Sequence, residues 1–409
     1  MRSAGVLLVM IALWLPPSGG STTDSGSTVQ SGSTAAGWAA VERLYREQVR
    51  AAGIVGSSLV LVRNGAVVAI ADEGYQDLDA KRPVDRDTIY HWASITKTFT
   101  GIAIMQLRDR GRLSLDDPIV KYVPEFSRVH NPYGDTSQVT IRHMMTHTSG
   151  LRAPTWPWGG DQPWHPFEPT EWQQLVAMLP YTELNFRPGS KYSYSNPGVV
   201  FLGRIIELLA GEDYEVYITK NVLMPLGMHA SFFDRAPYFL RGHRSHSYVR
   251  SDAGLTEMPF DFDTGITVSN GGLNAPVADM AKYIAFLMAP AATPADEAVL
   301  KRASLEEMWQ PQIRASDGEG ATGADAQSGL SFFLERHAGT DLIAHSGNQN
   351  GFMSHLYLHR PSHTGFVVAF NTEVTGATAT TARPSTRQVA AAVRDTIIRE
   401  VIAPRQGPR

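Results

Sequence analysis

The sequence predicts an α+β fold in which both ends of the chain build one antiparallel β-sheet. Near the N-terminus, apolar runs at 59–62 and 67–70 flank Asn64-Gly65, a dipeptide that favours a two-residue hairpin turn. Toward the C-terminus, short apolar runs with the character of strands follow one another at 330–334, 342–345, 352–358 and 366–370. Strands at both ends and helices between them predict a sheet flanked by helices, an α/β sandwich, with a mostly helical lobe inserted.

Helical spacing of apolar residues accounts for most of the remaining elements. Helices are expected at 36–52, 199–209, 277–287 and 387–401. The stretch 101–107 is apolar almost all round, which predicts a buried core helix, with Gly111 as a left-handed cap. The resulting domain covers 36–405, with a sheet lobe at about 36–110 and 325–405 and a helical lobe at about 111–324.

The first 35 residues are expected to lie outside this domain. Arg2 precedes an apolar run from Ala4 to Leu15 that is short for a membrane span, and Ser18-Gly19-Gly20 offers small residues for cleavage. Residues 1–20 therefore read as a secretory signal, with an uncleaved N-terminal anchor as the alternative. Residues 21–35, rich in Ser, Thr and Gly, predict a flexible linker. We expect a protein exported to the periplasm or secreted.

Composition excludes several classes of function. The chain has no cysteine, so disulfides, thiol nucleophiles and cysteine-ligated metals are ruled out. Net charge is −4, without a basic run that would indicate nucleic acid as a partner. No segment after the signal is apolar enough to cross a membrane. A small-molecule or peptide substrate and no cofactor are expected, and the oligomeric state is left open.

Ser94 and Lys97 lie three residues apart at the start of the predicted core helix. Residues at this spacing share one helix face, so both side chains would enter the same site. A serine becomes a useful nucleophile when a neighbouring base takes its proton, and a lysine can serve once its pKa is lowered. The alternative is a capping serine beside a solvated lysine.

Two loops could contribute to a site. Residues 153–172 carry four tryptophans and five prolines and predict a long irregular loop, which is often a lid or a binding loop. Tyr194 and Asn196 lie just before the core helix at 199–209, and Ser269–Leu273 predicts a tight turn.

His143 and His147 have the spacing of zinc ligands on a helix. The glutamate of the zinc-protease pattern is missing, and no third ligand is obvious nearby. We interpret both as structural histidines and expect no metal site.

Three separated motifs fit one chemistry: Ser94-x-x-Lys97, Tyr194-Ser195-Asn196 and His345-Ser346-Gly347. Their order and separation resemble the serine β-lactamase and DD-peptidase superfamily, in particular the class C branch with its family VIII esterases and D-amino-acid peptidases. Supporting stretches agree, and are His147–Leu151, Phe186–Gly189 and Gly271–Leu273 with Asp279. The resemblance covers about residues 40–400 and implies the β-lactamase/transpeptidase-like fold.

The expected chemistry starts with attack of Ser94 on a carbonyl. Lys97 and Tyr194 share its proton and return it to the leaving group; which of the two is the base cannot be read from the sequence. An unperturbed tyrosine titrates near pH 10, so Tyr194 would need the Lys97 charge beside it.

The remaining site residues are expected to bind substrate. Asn196 can hydrogen-bond a substrate amide and steady Lys97. The resemblance implies an oxyanion hole made by the backbone N–H groups of Ser94 and Asn348. Gly347 is expected to let the substrate backbone approach closely.

His345 departs from the class C pattern, which carries lysine at this position. One interpretation is a neutral polar spacer. The other is a weaker, pH-dependent contact with a substrate carboxylate, because histidine titrates near pH 6.5.

Two functions remain open at this point. The first is an exported serine hydrolase for peptides, esters or amides, less suited to β-lactams. The second is a penicillin-binding protein that acylates with negligible turnover. A zinc hydrolase is a distant third.

Overall fold

The computed structural model describes residues 28–152, 169–315, 325–375 and 383–403. The predicted signal at 1–20 and most of the predicted loop at 153–172 lie outside the described residues. None of the helices in the described ranges combines the length and the apolar composition needed to cross a bilayer.

The central element is an antiparallel sheet built from both ends of the chain, as the sequence predicted. The described strands are β1 (Gly56–Arg63), β2 (Ala66–Asp77), β3 (Arg82–Pro83), β4 (Ile89–His91), β5 (Phe232–Phe233), β6 (Tyr248–Ser251), β7 (Gly254–Glu257), β8 (Leu273–Pro276), β9 (Ile313–Arg314), β10 (Gln327–Ser328), β11 (Phe333–His337), β12 (Thr340–Gln349), β13 (Phe352–His359), β14 (Thr364–Phe370) and β15 (Thr372–Val374). Nine of them form the sheet, in the order β3-β2-β1-β14-β13-β12-β11-β10-β9. Strand β1 pairs with β14, which joins the two ends of the chain.

Helices cover both faces of this sheet. The described helices are α1 (Thr28–Ala52), α2 (Thr96–Asp109), α3 (Ile141–Met145), α4 (Trp172–Met178), α5 (Asn196–Ala210), α6 (Tyr214–Ile218), α7 (Val268–Gly271), α8 (Val277–Met288), α9 (Pro294–Val299), α10 (Arg302–Met308) and α11 (Thr386–Ile397). Along β1, Leu59 and Leu61 face the core with α1 and α11, whereas Val60 and Val62 face the core with α2 and α8. Both faces of β1 are buried, so its sequence is apolar without alternation.

The predicted hairpin and core helix are confirmed. Asn64 and Gly65 both have positive φ, 52° and 75°, as a two-residue turn that matches strand twist requires. Every residue of α2 from Thr96 to Leu107 is buried, and Gly111 beyond its end has a φ of 69°. A helix buried all round holds its start rigidly, which matters because Ser94 lies on the turn immediately before it.

Several predicted boundaries were wrong. Helix α1 begins at Thr28 and not at 36, so it includes the last eight residues of the expected linker. The strand expected at 330–334 lies at 333–337. The expected tight turn at 269–273 is instead the end of α7 followed by β8.

The division into two lobes is less sharp than expected. Helix α8 belongs to the middle of the chain, yet it packs on β1 and β14 of the sheet. The middle of the chain also contributes strands to two three-stranded sheets, β15-β6-β7 and β4-β8-β5. Periodicity predicted a helix at 277–287 correctly but could not show which layer it packs against.

Candidate active site

Ser94 lies on a single 3-10 turn, Ala93–Ile95, immediately before α2. Ala93 has a φ of 47°, a left-handed conformation that costs a non-glycine residue roughly 1–2 kcal/mol. The turn is held in place by its neighbours, because the Trp92 N–H donates to the Leu273 carbonyl at 2.8 Å and the Trp92 ring is fully buried. Strained backbone of this kind is frequent beside reactive groups.

Lys97 lies one turn further along and points back at Ser94. Its Nζ is 2.9 Å from Ser94 Oγ and 2.8 Å from the carbonyl oxygen of Asn270 on α7. The side chain is 1% exposed. The distance to Ser94 allows direct proton transfer between the two groups.

Tyr194 approaches the same point from the other side of the site. Lys97 Nζ lies 5.0 Å from the centre of its ring. Ser195, which follows it, caps α5 by accepting a hydrogen bond from the Gly198 N–H, so the loop is fixed by the helix start. The structure thus brings Ser94, Lys97 and Tyr194 together.

His147 supports Tyr194, a contact that sequence reasoning missed. The two rings stack at 4.4 Å, and His147 Nδ1 accepts a hydrogen bond from the Ser195 N–H at 3.1 Å. Burial, with the Lys97 charge nearby, holds the pKa of His147 well below its usual value, so the ring is neutral. The stretch His147–Leu151 was recognised in the sequence as a supporting motif, but the sequence did not show that His147 contacts Tyr194.

His143 also has a local structural partner. Its Nδ1 accepts a hydrogen bond from the Thr140 N–H at 3.2 Å, which completes a capping box at the start of α3. Within the described ranges, no three His, Asp or Glu side chains lie close enough together to hold a metal ion. Each of the two histidines of this stretch therefore accepts a backbone N–H group at Nδ1.

Strand β12 presents an open edge to the site. The two-residue turn Asn350-Gly351 joins β12 to β13, and the pair of residues that flanks such a turn is hydrogen-bonded. Hydrogen-bonded and non-hydrogen-bonded pairs then alternate along the two strands. Gly347 consequently shares hydrogen bonds with β13, whereas the N–H of Asn348 points to the opposite edge. On that edge pairing with β11 ends at Ala344, so no described strand covers residues 345–349. The N–H of Asn348 therefore has the orientation that an oxyanion donor needs.

Gly347 has a packing reason for being glycine that the sequence did not show. A Cβ atom on it would lie 2.2 Å from the Trp92 carbonyl oxygen and 3.2 Å from Ala93 Cβ. The missing side chain lets β12 pack directly against the turn that carries Ser94. Gly347 thus brings the strand to the nucleophile, and the expected close approach of a substrate stays a prediction.

His345 is buried, 2% exposed, and neutral. Burial, followed by the Lys97 charge, lowers its pKa from 6.5 to about 3. Its Nδ1 lies 2.8 Å from the Ser346 carbonyl and donates to it, which leaves Nε2 as an acceptor. Burial therefore favours the neutral polar interpretation at neutral pH, and the pH-dependent contact with a carboxylate stays a prediction.

Two amide side chains in the site have polar atoms without a protein partner among the described residues. They are Oδ1 of Asn196 and Nδ2 of Asn270, both buried. Buried polar atoms are normally hydrogen-bonded. Asn196 opens α5 directly after Tyr194 and Ser195, and the expectation that its amide hydrogen-bonds a substrate stays a prediction. Asn270 was not among the residues singled out from the sequence.

Comparison with known proteins agrees with this fold. The family model described as Beta-lactamase matches residues 41–391, so the chain belongs to the β-lactamase family. The superfamily resemblance drawn from the three motifs is confirmed.

Individual relatives are distant. Protein flp of Staphylococcus aureus (strain COL) is 28% identical over 331 residues, which are 81% of this chain and 62% of that protein. The chain thus spans less than two thirds of that relative. The octameric penicillin-binding protein homologue from Pyrococcus abyssi is 29% identical with a TM-score of 0.69, over 82% of this chain and 73% of that one. A class C beta-lactamase shares the fold, with a TM-score of 0.71 at 18% identity, over 92% and 98% of the two chains.

Proposed function

We propose that this chain is an exported serine hydrolase that forms an acyl-enzyme at Ser94 and cleaves amide or ester bonds of small peptides, esters or β-lactams. The observation that carries the proposal is the 2.9 Å approach of the buried Lys97 Nζ to Ser94 Oγ, beside Tyr194. Membership of the β-lactamase family and the open edge of β12 support it.

The proposed reaction has two halves. In the first, Ser94 Oγ bonds to the carbonyl carbon while its proton passes to the Lys97 and Tyr194 pair. The oxyanion accepts hydrogen bonds from the N–H groups of Ser94 and Asn348, and the leaving group departs with the proton. In the second, water attacks the ester carbon, gives its proton to the same pair, and Ser94 recovers it on release of the acid.

Efficient β-lactam hydrolysis is not expected. A β-lactam carries a carboxylate, and His345, at the position of the class C lysine, is uncharged at neutral pH because burial lowers its pKa to about 3. A lost charge-assisted hydrogen bond is worth roughly 1.5–3 kcal/mol. We therefore propose a peptidase or esterase preference.

The alternative is a penicillin-binding protein that is acylated without appreciable turnover. The similarity to the penicillin-binding protein homologue from Pyrococcus abyssi favours it. The residues required for attack are the same in both proposals, so only the second half-reaction separates them.

The distinguishing experiment follows release of p-nitrophenol from p-nitrophenyl acetate. A hydrolase gives a linear steady state over many equivalents, and Ser94→Ala abolishes it. A burst of one equivalent followed by a flat trace identifies the acylating protein instead. If neither this ester nor p-nitrophenyl butyrate releases p-nitrophenol in a Ser94-dependent way, the proposed function is contradicted.

Export is proposed from the sequence alone. The apolar run from Ala4 to Leu15, after Arg2 and before small residues at 18–20, supports a cleaved signal. N-terminal sequencing of the protein from its native host should give a start near Ser21. Cytosolic protein that retains Met1 would contradict export.

A further inference from the structure

A carboxylate lies beside the open edge of β12. The side chain of Asn348 donates from Nδ2 to Glu373 Oε1 at 2.8 Å. Glu373 belongs to β15, and its neighbour Val374 packs in the core with α1 and α11. The carboxylate is therefore held at a fixed place on a strand and does not belong to a mobile surface group.

The same residue links this carboxylate to the proposed oxyanion hole. The N–H of Asn348 points to the open edge, while its side chain lies on the sheet face opposite to that of Gly347. Gly347 faces the turn with Ser94. A substrate whose reacting carbonyl accepts a hydrogen bond from the N–H of Asn348 therefore lies next to the residue whose side chain contacts Glu373.

Glu373 lacks an ion-pair partner among the described residues. It makes no ion pair with a described Lys, Arg or His side chain. Residues 376–382, the segment next to it that the structure does not describe, contain no charged residue. At this part of the site His345 is neutral, and Lys97 is buried against Ser94 and Asn270.

We infer that Glu373 is a specificity-determining residue, which selects small amide or ester substrates carrying a positive charge near the scissile bond and disfavours those carrying a carboxylate. The inference rests on the proposed function and names its substrate class. A positive charge roughly 7 Å from a partly solvated carboxylate strengthens binding by about 5- to 10-fold, and a negative charge at the same distance weakens it by a similar factor. Cationic and anionic substrates should thus differ by more than tenfold through this residue.

The test measures kcat/KM on two matched series of substrates. On the acyl side these are p-nitroanilides of alanine with a free ammonium, an acetylated amine or a succinylated amine, in both configurations. On the leaving-group side they are phenylacetyl thioesters of thiocholine, 2-mercaptoethanol and mercaptoacetate. Two series are needed because the charge can lie on either side of the scissile bond.

Glu373→Gln is the informative variant, because glutamine keeps an oxygen that accepts from Asn348 and removes only the charge. Glu47→Gln is the matched control, since it removes an exposed carboxylate on α1. Glu373→Lys should reverse the preference. Comparing the ratio of cationic to anionic kcat/KM between proteins cancels differences in substrate size.

We expect Glu373→Gln to lower this ratio at least tenfold in one series, and Glu47→Gln to leave it within twofold. Ser94-dependent turnover with the ratio unchanged in both series would overturn the inference and leave the proposed function intact. If none of these substrates is turned over in a Ser94-dependent way, the proposed function is contradicted, and the inference with it.

Discussion

At the scale of single residues, the site places the buried side chain of Lys97 beside uncharged groups. Lys97 is surrounded by a serine hydroxyl, the Asn270 carbonyl and the Tyr194 ring. Two histidines nearby are kept neutral by burial, which lowers the pKa of His147 and His345. The proposed chemistry therefore depends on where one proton lies among Ser94, Lys97 and Tyr194.

Lys97→Arg should be nearly as damaging as Lys97→Ala. Arginine keeps the charge but cannot lose its proton in a protein, and its guanidinium has little room where lysine is 1% exposed. We expect both variants to lower the rate of Ser94 acylation by about 10²–10⁴-fold. Stopped-flow acylation with a chromogenic β-lactam or ester measures it, and near-normal acylation of the arginine variant would show that charge alone suffices.

Tyr194→Phe isolates the phenolic hydroxyl. The phenyl ring can still stack on His147, so the loop before α5 should keep its place. Turnover is expected to fall by about 10²–10⁴-fold, the usual worth of a positioned acid or base. His130→Asn, at an exposed histidine, is the control. An unchanged kcat would leave Tyr194 with a packing role only.

At the scale of elements, the nucleophile is positioned by the packing of β12 against the turn Ala93–Ile95. The two are far apart in sequence and meet because Gly347 has no side chain. The glycine was visible in the sequence, but its partner Trp92 was not, since only the folded sheet brings them together.

Gly347→Ala should disturb both stability and activity. Its Cβ would lie 2.2 Å from the Trp92 carbonyl oxygen, so strand and turn must separate. We expect a loss of about 1–3 kcal/mol, as for other overpacked positions, and a lower kcat for ester hydrolysis. Thermal unfolding and steady-state kinetics measure the two effects. Gly242→Ala is the control, because a Cβ there has no atom within 4 Å. Equal behaviour of both variants would disprove the packing role.

At the scale of the whole molecule, buried neutral histidines link stability to pH. Burial lowers the pKa of His91 to about 4, of His345 to about 3 and of His355 to about 4, and holds that of His147 well below 6.5. As pH falls below 6.5, the unfolded chain takes up protons that the folded chain excludes. The contribution of these neutral histidines to the free energy of unfolding is fully present above pH 6.5. It is lost as pH falls toward their folded-state pKa values near 4 and 3.

This predicts an acid-sensitive fold. When pH falls from 7 to 5.5, each of these histidines should lower the free energy of unfolding by about 1 kcal/mol. Urea unfolding at several pH values measures the slope. His355→Leu should reduce it, because neither ring nitrogen of His355 has a partner among the described residues, whereas His130→Asn should not. A slope that is the same in the His355 variant would contradict the assignment.

Sequence reasoning reached the fold because its signals were local. The Asn64-Gly65 turn, the all-apolar stretch at 101–107 and the helix expected at 199–209 each follow from short-range preferences. It did not reach the contacts that depend on distant segments meeting: the packing of α8 on the sheet, the burial that neutralises His345, and the Asn348–Glu373 contact. Burial and pairing between such segments are properties of the folded chain.

The most direct test of the account is the identity of the acylated residue. The full-length protein is incubated with a fluorophosphonate and, separately, with benzylpenicillin, and examined by intact-mass analysis and peptide mapping. We predict one adduct per chain, on Ser94, that is absent from Ser94→Ala and strongly slowed in Lys97→Ala. An adduct on another serine, or none with either reagent, would contradict the central claim that Ser94, activated by Lys97, is the nucleophile.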